Sequence, residues 1–297
     1  MTEAQPAVRT QLDAYLADLE ELWAAYDELY GTLDADGWKR PYGKNWTFAD
    51  QPYHMAYFDE IITARPIEAG PDLPEDERWA LSSQRQIDEW NAREFAKRPA
   101  GETGPQSLER MHAAHDRIRN ALTGLTDADL DARLVWSYFF GGMFVPLRLA
   151  LDASRLHNWG ELSELKFRLK RTTPEAPPTA THAGVGMYLF LMTLFCKPER
   201  ATKPFTIGWE LTGPGGGSWT TRVAAGHCTL TEAKAEKPDV RITTTPDWWN
   251  IVLLRQAVNP MKAMLTGKLK VKGKTKMGRM RKLFPPPDPD TPLTMGG

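Results

Sequence analysis

At 297 residues the chain exceeds the usual reach of one hydrophobic core, so two domains are expected. Apolar residues make up 41% and charged residues 25%, proportions that fit a soluble globular protein and exclude a disordered or membrane-embedded one. The net charge of −1 conceals a division: residues 1–172 carry 20 Lys and Arg against 29 Asp and Glu, a balance of −9, and residues 173–297 carry 17 against 9, a balance of +8. Parts of opposite sign should attract each other or a common partner. No apolar run approaches the ~20 residues of a membrane helix. The opening residues, MTEAQPAV, lack the basic head and apolar run of a secretory signal. Cys196 and Cys228 read as reduced, packed thiols and not as a disulfide framework. A cytoplasmic location is expected.

Helical spacing dominates the first part. Leu12, Leu16, Leu19, Trp23, Tyr26 and Leu29 share a face that Gly31 can end, and residues 47–64 give a second helix. Residues 66–74 read as a loop and 75–97 as helix. Ser107 caps a further helix with Leu108, Met111, His115, Ile118 and Leu122 on one side, and 144–169 is the last long helix. Together they predict an up-down four-helix bundle over 1–172. Residues 173–184, rich in Pro, Thr and Ala, read as a linker. An apolar helix at 185–195 follows, then strands at 205–212 and 219–225 joined across GPGGGS, and a third from Cys228. Residues 239–244 alternate as a strand. Pro246 opens a helix, with Thr245 as cap, in which Trp248, Trp249, Val252 and Leu253 follow at spacings that suit one buried face. Asn259-Pro260 breaks it before a short helix at 261–265. Residues 268–272 form a strand, Gly273 a turn, and Met277, Met280 and Leu283 the apolar side of a closing helix. The predicted class is α+β in two domains, the second (185–284) a mostly antiparallel sheet covered by helices, followed by a Pro-rich tail at 285–297. The lysines of 262–282 alternate with apolar residues and lack base-stacking aromatics, so they are a wet strand face and not a nucleic-acid site.

The strand, helix pair, GKLKVKG strand and closing helix ending in LF resemble the sterol carrier protein family. That resemblance implies an apolar pocket, lined or supported by Trp248, Val252 and Leu253. The segment NWTFADQPYHMAYFDEI sets Trp46 eight residues, and Asp50 four, before His54. It resembles the opening motif of the DinB-like superfamily, which includes the mycothiol-dependent maleylpyruvate isomerases, and LDASRLHNWGELSEL resembles that family's closing ligand helix. The isomerases likewise join a bundle to a carrier-like domain. The resemblance implies His54 as a metal ligand.

A bundle can aim imidazoles and carboxylates inward from facing helices, and residues at i and i+4 share a face. His157 is the second candidate ligand. The family places a Glu or His four residues before this His, where the chain has Ala153; Asp152 lies about 140° round the helix. Glu161, four residues after His157, is on the correct face in reversed order. His112 and His115 read as a surface and a partly buried histidine, and His182 and His227 as structural. Trp136, Tyr138, Phe139, Phe140 and Phe144 read mainly as core. Two functions follow. The resemblance implies a metal-dependent isomerase or transferase using a divalent ion, zinc first, and a low-molecular-weight thiol such as mycothiol. The alternative is a non-catalytic carrier of a fatty acyl chain, sterol or other apolar molecule. Both imply a small-molecule partner, apolar or thiol-conjugated, and both are compatible with a homodimer.

Overall fold

The computed structural model describes residues 9–43, 46–81, 83–139 and 142–285. Phe140 and, from 286 on, the expected Pro-rich tail lie outside the described residues. The chain is α+β, with a helical N-terminal region and a C-terminal sheet. It divides into two compact units inside one helix, the first reaching Ser154 and the second starting at Arg155.

In the first unit, α1 (Thr10–Tyr30) buries Leu12, Leu19, Leu22, Trp23, Tyr26 and Leu29 at helical spacing. Its first turn is satisfied from a distance: the Asp127 carboxylate accepts from the backbone N–H groups of Gln11 and Leu12 at 2.9 Å, a negative charge at the positive end of the helix dipole. Next, α2 (Asp50–Tyr57) passes through a wide π-turn (Phe58–Ala64) into α3 (Arg65–Ala69). The loop predicted from residue 66 starts later, because helical backbone continues from the π-turn through Pro66 to Ala69. The predicted 75–97 helix is shorter. A 3₁₀ turn (Glu75–Glu77) and extended chain precede α4 (Gln84–Ala96), which begins where the Ser83 hydroxyl accepts from the Gln86 N–H at 3.3 Å. The cap of α5 (Gly104–Ala121) is Thr103, in a capping box with Gln106, and not Ser107. Ser107 instead donates to Glu102 at 2.8 Å.

After α6 (Asp129–Ala132), a hairpin of β1 (Leu134–Ser137) and β2 (Met143–Pro146) interrupts what the sequence predicts as all helix. Aromatic and β-branched residues favour this pleated form, and the Trp136 indole N–H donates to the Trp79 carbonyl at 2.9 Å. Pro146 ends the strand, and α7 (Leu147–Leu169) follows. Tyr53, Tyr57, Phe58, Leu81 and Trp90 form a buried hydrophobic cluster that holds α2 to α4.

In the second unit, α8 (Pro178–Leu194) starts inside the stretch read as a linker, with Pro178 in its first turn. The strands β3 (Phe205–Leu211), β4 (Gly217–Ala224) and β5 (His227–Thr231) form an antiparallel meander. The chain then returns to the other side of β3 and adds β6 (Val240–Thr244) parallel to it. Past β6 come α9 (Pro246–Trp249), capped by the Thr245 hydroxyl, a π-turn (Asn250–Leu254) and α10 (Pro260–Leu265). The edge strand β7 (Lys270–Lys272) completes the order β5-β4-β3-β6-β7, and α11 (Met277–Leu283) closes the unit. Gly273 makes the intervening turn at φ 81°, where a side chain would run into the Asp239 carbonyl. Ile207, Trp209, Trp219, Val223, Val240 and Ile242 are buried on the sheet, and α8 packs over β4 and β5.

Trp249 is fully buried, stacked on Trp159 at 6.4 Å and edge-on to Tyr188 at 4.9 Å. Trp248 is half-buried, Val252 buried and Leu253 half-buried. The thiols of Cys196 and Cys228 hydrogen-bond to each other, which holds Cys196 below and Cys228 above the ordinary thiol range. No described helix is long and apolar enough to cross a membrane.

Candidate metal centre

His54 lies in the last turn of α2 and is buried. Its Nδ1 is 2.6 Å from the Tyr57 hydroxyl, and that hydroxyl donates its one proton to Asn91 Oδ1 at 2.8 Å. A Tyr57 oxygen that gives its proton to Asn91 accepts from His54, an arrangement that sets the proton on Nδ1 and the lone pair on Nε2. Fixing the tautomer through the other ring nitrogen is how proteins prepare an imidazole to bind a metal. Trp46 covers the same ring at 4.9 Å between centroids. Asp50 acts elsewhere. Its carboxylate accepts from the Thr47 N–H (2.6 Å) and hydroxyl (2.7 Å) and pairs with Arg98, which anchors the start of α2.

In the second unit α7 presents His157 and Glu161 on one face, with His157 Nε2 and Glu161 Oε1 3.9 Å apart. Glu161 is buried, and Arg255 Nη1 lies 2.7 Å from the same oxygen. Gly160 makes room for that guanidinium, since a Cβ there would come within 2.9 Å of it. The Gly160 carbonyl accepts from Asn250 Nδ2 at 2.9 Å. Gln256, directly after Arg255, has φ 50°, a left-handed conformation that costs a non-glycine residue energy.

The three candidate ligands are divided between the units, His54 in the first and the His157–Glu161 pair in the second. Two imidazoles and a carboxylate match the donor set of a three-ligand zinc site, which keeps a further coordination position for water or substrate. The other candidates have their own partners. His112 pairs with Asp27 at 2.7 Å on the surface. His115, buried, stacks on Trp23 at 4.1 Å and faces Asp59 at 3.3 Å. His182 bonds the Gly216 carbonyl and Glu232, and His227 is exposed. Sequence reasoning missed Tyr57, Asn91 and Arg255. Tyr57 was legible as an i, i+3 neighbour of His54; nothing local marks the other two.

A helical region bearing a buried, oriented imidazole, followed by a five-stranded sheet, defines the class. Residues 18–153 match the DinB superfamily, and residues 199–282 match the SCP-2 sterol transfer family. The chain is thus a DinB-like helical region followed by a sterol-carrier-like sheet region. Among solved structures, mycothiol-dependent maleylpyruvate isomerase is similar at 13% identity, over 81% of this chain and 87% of that one, with a TM-score of 0.46. Its histidine-to-alanine mutant gives 12% and 0.48 at the same coverage. Apo sterol carrier protein 2 from Yarrowia lipolytica is 21% identical over 28% of this chain and 71% of that one, with a TM-score of 0.22. No curated protein matches the chain.

Proposed function

We propose that the chain is a metal-dependent enzyme that uses a low-molecular-weight thiol, an isomerase or transferase of the mycothiol-dependent maleylpyruvate isomerase type. In this reading residues 1–172 are a DinB-like up-down four-helix bundle, and His54, His157 and Glu161 hold one divalent ion, zinc first. The observation that carries it is the hydrogen-bond chain from His54 Nδ1 through Tyr57 to Asn91, because a buried imidazole tied in this way through Nδ1 presents Nε2 as a ligand atom. The two family matches, in the order bundle then carrier, support it.

A bound divalent ion would lower the pKa of a coordinated thiol and make it a nucleophile near neutral pH. The remaining work belongs to the chain. Tyr57 and Asn91 orient His54, and Trp46 shields its ring from water. His157 adds a second neutral donor. Glu161 supplies negative charge that Arg255 partly offsets, so the buried carboxylate keeps a partner with or without an ion.

The test is elemental analysis of protein purified after growth with added zinc. One ion per chain is expected, lost in His54→Ala, His157→Ala and Glu161→Ala and kept in His112→Ala. A metal-free wild type, or an ion kept in all four variants, overturns the reading. The second reading, a carrier of an apolar molecule with Trp248, Val252 and Leu253 at its pocket, rests on the SCP-2 match at residues 199–282. Stoichiometric extraction of a lipid with the purified chain would support it.

A further inference from the structure

The second unit contains a cavity of about 610 Å³ that the metal-centred reading does not use. It opens between the last turns of α7, the ends of β3 and β6, and the start of α9. Lys166, Lys170, Arg171, Lys268 and Lys270 face it, and Asp247 is the one carboxylate in its lining. Lysines on the outer face of a strand or at a helix C-terminus are ordinarily solvated, and the helix dipole alone accounts for some of them. Two features here go beyond that.

Lys166 is buried, its side chain only 6% exposed, and is fixed by Asp247 at 3.0 Å. The Ser163 hydroxyl donates to the same carboxylate at 2.9 Å. A buried ammonium held by a single carboxylate has donor capacity left for a second acceptor. A smaller cavity of about 190 Å³ shares Lys166, Thr172, Thr212, Thr245 and Asp247 with the first, so this ammonium stands where two chambers meet.

Lys170 ends α7 at φ 56°. The Arg171 N–H reaches back to the Lys166 carbonyl at 2.9 Å, the Schellman closure in which glycine is the unstrained choice. A lysine in that position accepts backbone strain and sets a cation at the cavity where glycine would set nothing. Beneath the charges lies an apolar wall: Phe167 meets Trp248 edge-on at 6.3 Å, and the Lys268 ammonium is 5.6 Å above the Trp248 ring.

We infer that this cavity is a binding site for a small organic anion, with a phosphate or carboxylate group on Lys166, Lys170 and Lys268 and a flat apolar portion against Phe167 and Trp248. The volume is in the range of small-molecule sites, and charge-assisted hydrogen bonds to an anion are the strong ones.

Isothermal titration at low salt tests it with phenyl phosphate, benzoate, inorganic phosphate and neutral benzyl alcohol. At least one aromatic anion should bind, more tightly than inorganic phosphate, and benzyl alcohol should not; the stronger of phenyl phosphate and benzoate identifies the head group. Lys170→Gly should weaken that anion about tenfold while leaving Tm unchanged or higher, since it relieves the left-handed strain. Lys268→Met should weaken it comparably. Failure of both anions to bind, equal binding of benzyl alcohol, or unchanged affinity in both variants overturns the inference.

Discussion

Arg255 places Nη1 2.7 Å from Oε1 of Glu161, above the bare α-carbon of Gly160. The pair joins the π-turn after α9 to the buried face of α7 within the second unit. Removing one partner of a buried ion pair typically costs about 3–5 kcal/mol, because the other charge remains behind. The guanidinium side is 24% exposed, which admits solvent. Arg255→Met should therefore cost less, on the order of 2 kcal/mol, read as a lower denaturation midpoint. Adding Glu161→Gln to that variant should recover part of the loss; a double variant no better than the single one would show that charge is not the cause.

The Tyr57 hydroxyl predicts an effect without a lost ligand. Tyr57→Phe keeps the ring in its cluster but removes the acceptor for His54 Nδ1–H. Divalent-metal affinity should fall about 10–100-fold, the usual effect of losing an outer-shell partner. Competition with a chromophoric chelator measures it. An affinity unchanged in Tyr57→Phe and in Asn91→Leu would remove the tautomer argument.

The two adjacent tryptophans should separate cleanly. Trp249→Ala opens a hole beside Trp159 and Tyr188 and should cost about 3–5 kcal/mol. Trp248→Ala, at a half-buried position on the cavity wall, should cost about 1 kcal/mol or less. Equal losses in thermal unfolding would mean that the face of α9 has been read wrongly.

Glu102 sets an acid limit for the first unit. Burial pushes its carboxyl up, but hydrogen bonds from Arg110 and Ser107 and the charges of Arg110 and Arg98 outweigh burial and hold it below its ordinary value of 4.5. A carboxyl depressed in the folded state adds stability that is fully present above its unfolded pKa and is lost as pH falls through its folded one. Stability should thus decline from about pH 4.5 downward. Glu102→Gln should flatten that decline in Tm and leave the slope above pH 6 unaltered.

Much of the fold was legible because it depends on local periodicity. The alternation at β6 and the Thr245 cap are short-range signals that stand where the residues put them, whereas β7 is shorter than predicted and the helix expected to break at Asn259-Pro260 already ends at Leu254, so that this pair opens α10 instead. The hairpin of β1 and β2 was not legible, since a short apolar run with aromatics is ambiguous between strand and helix until tertiary contacts such as Trp136 to Trp79 are known. Which of the adjacent Trp248 and Trp249 is the more deeply buried was not legible for a related reason: neighbouring residues on a one-turn helix differ by about 100°, and the inward one is decided by Trp159 and Tyr188 from other helices. At the site, His54 and the His157–Glu161 spacing could be read from the chain. Asn91 and Arg255 could not, because their relation to those residues exists only after α4 and the π-turn have docked.

The Tyr57–Asn91 hydrogen bond crosses from α2 to α4 and so works as an interlock. While α4 is docked, the imidazole of His54 has one permitted proton arrangement; if α4 detaches, both tautomers become accessible and the ring is free to turn. In the proposed metal-binding role, the orientation of His54 would therefore depend on tertiary structure 34 residues beyond Tyr57 along the chain. A partly folded chain with α4 still loose would carry the histidine without its orientation, and would be a poor competitor for ions until assembly is finished.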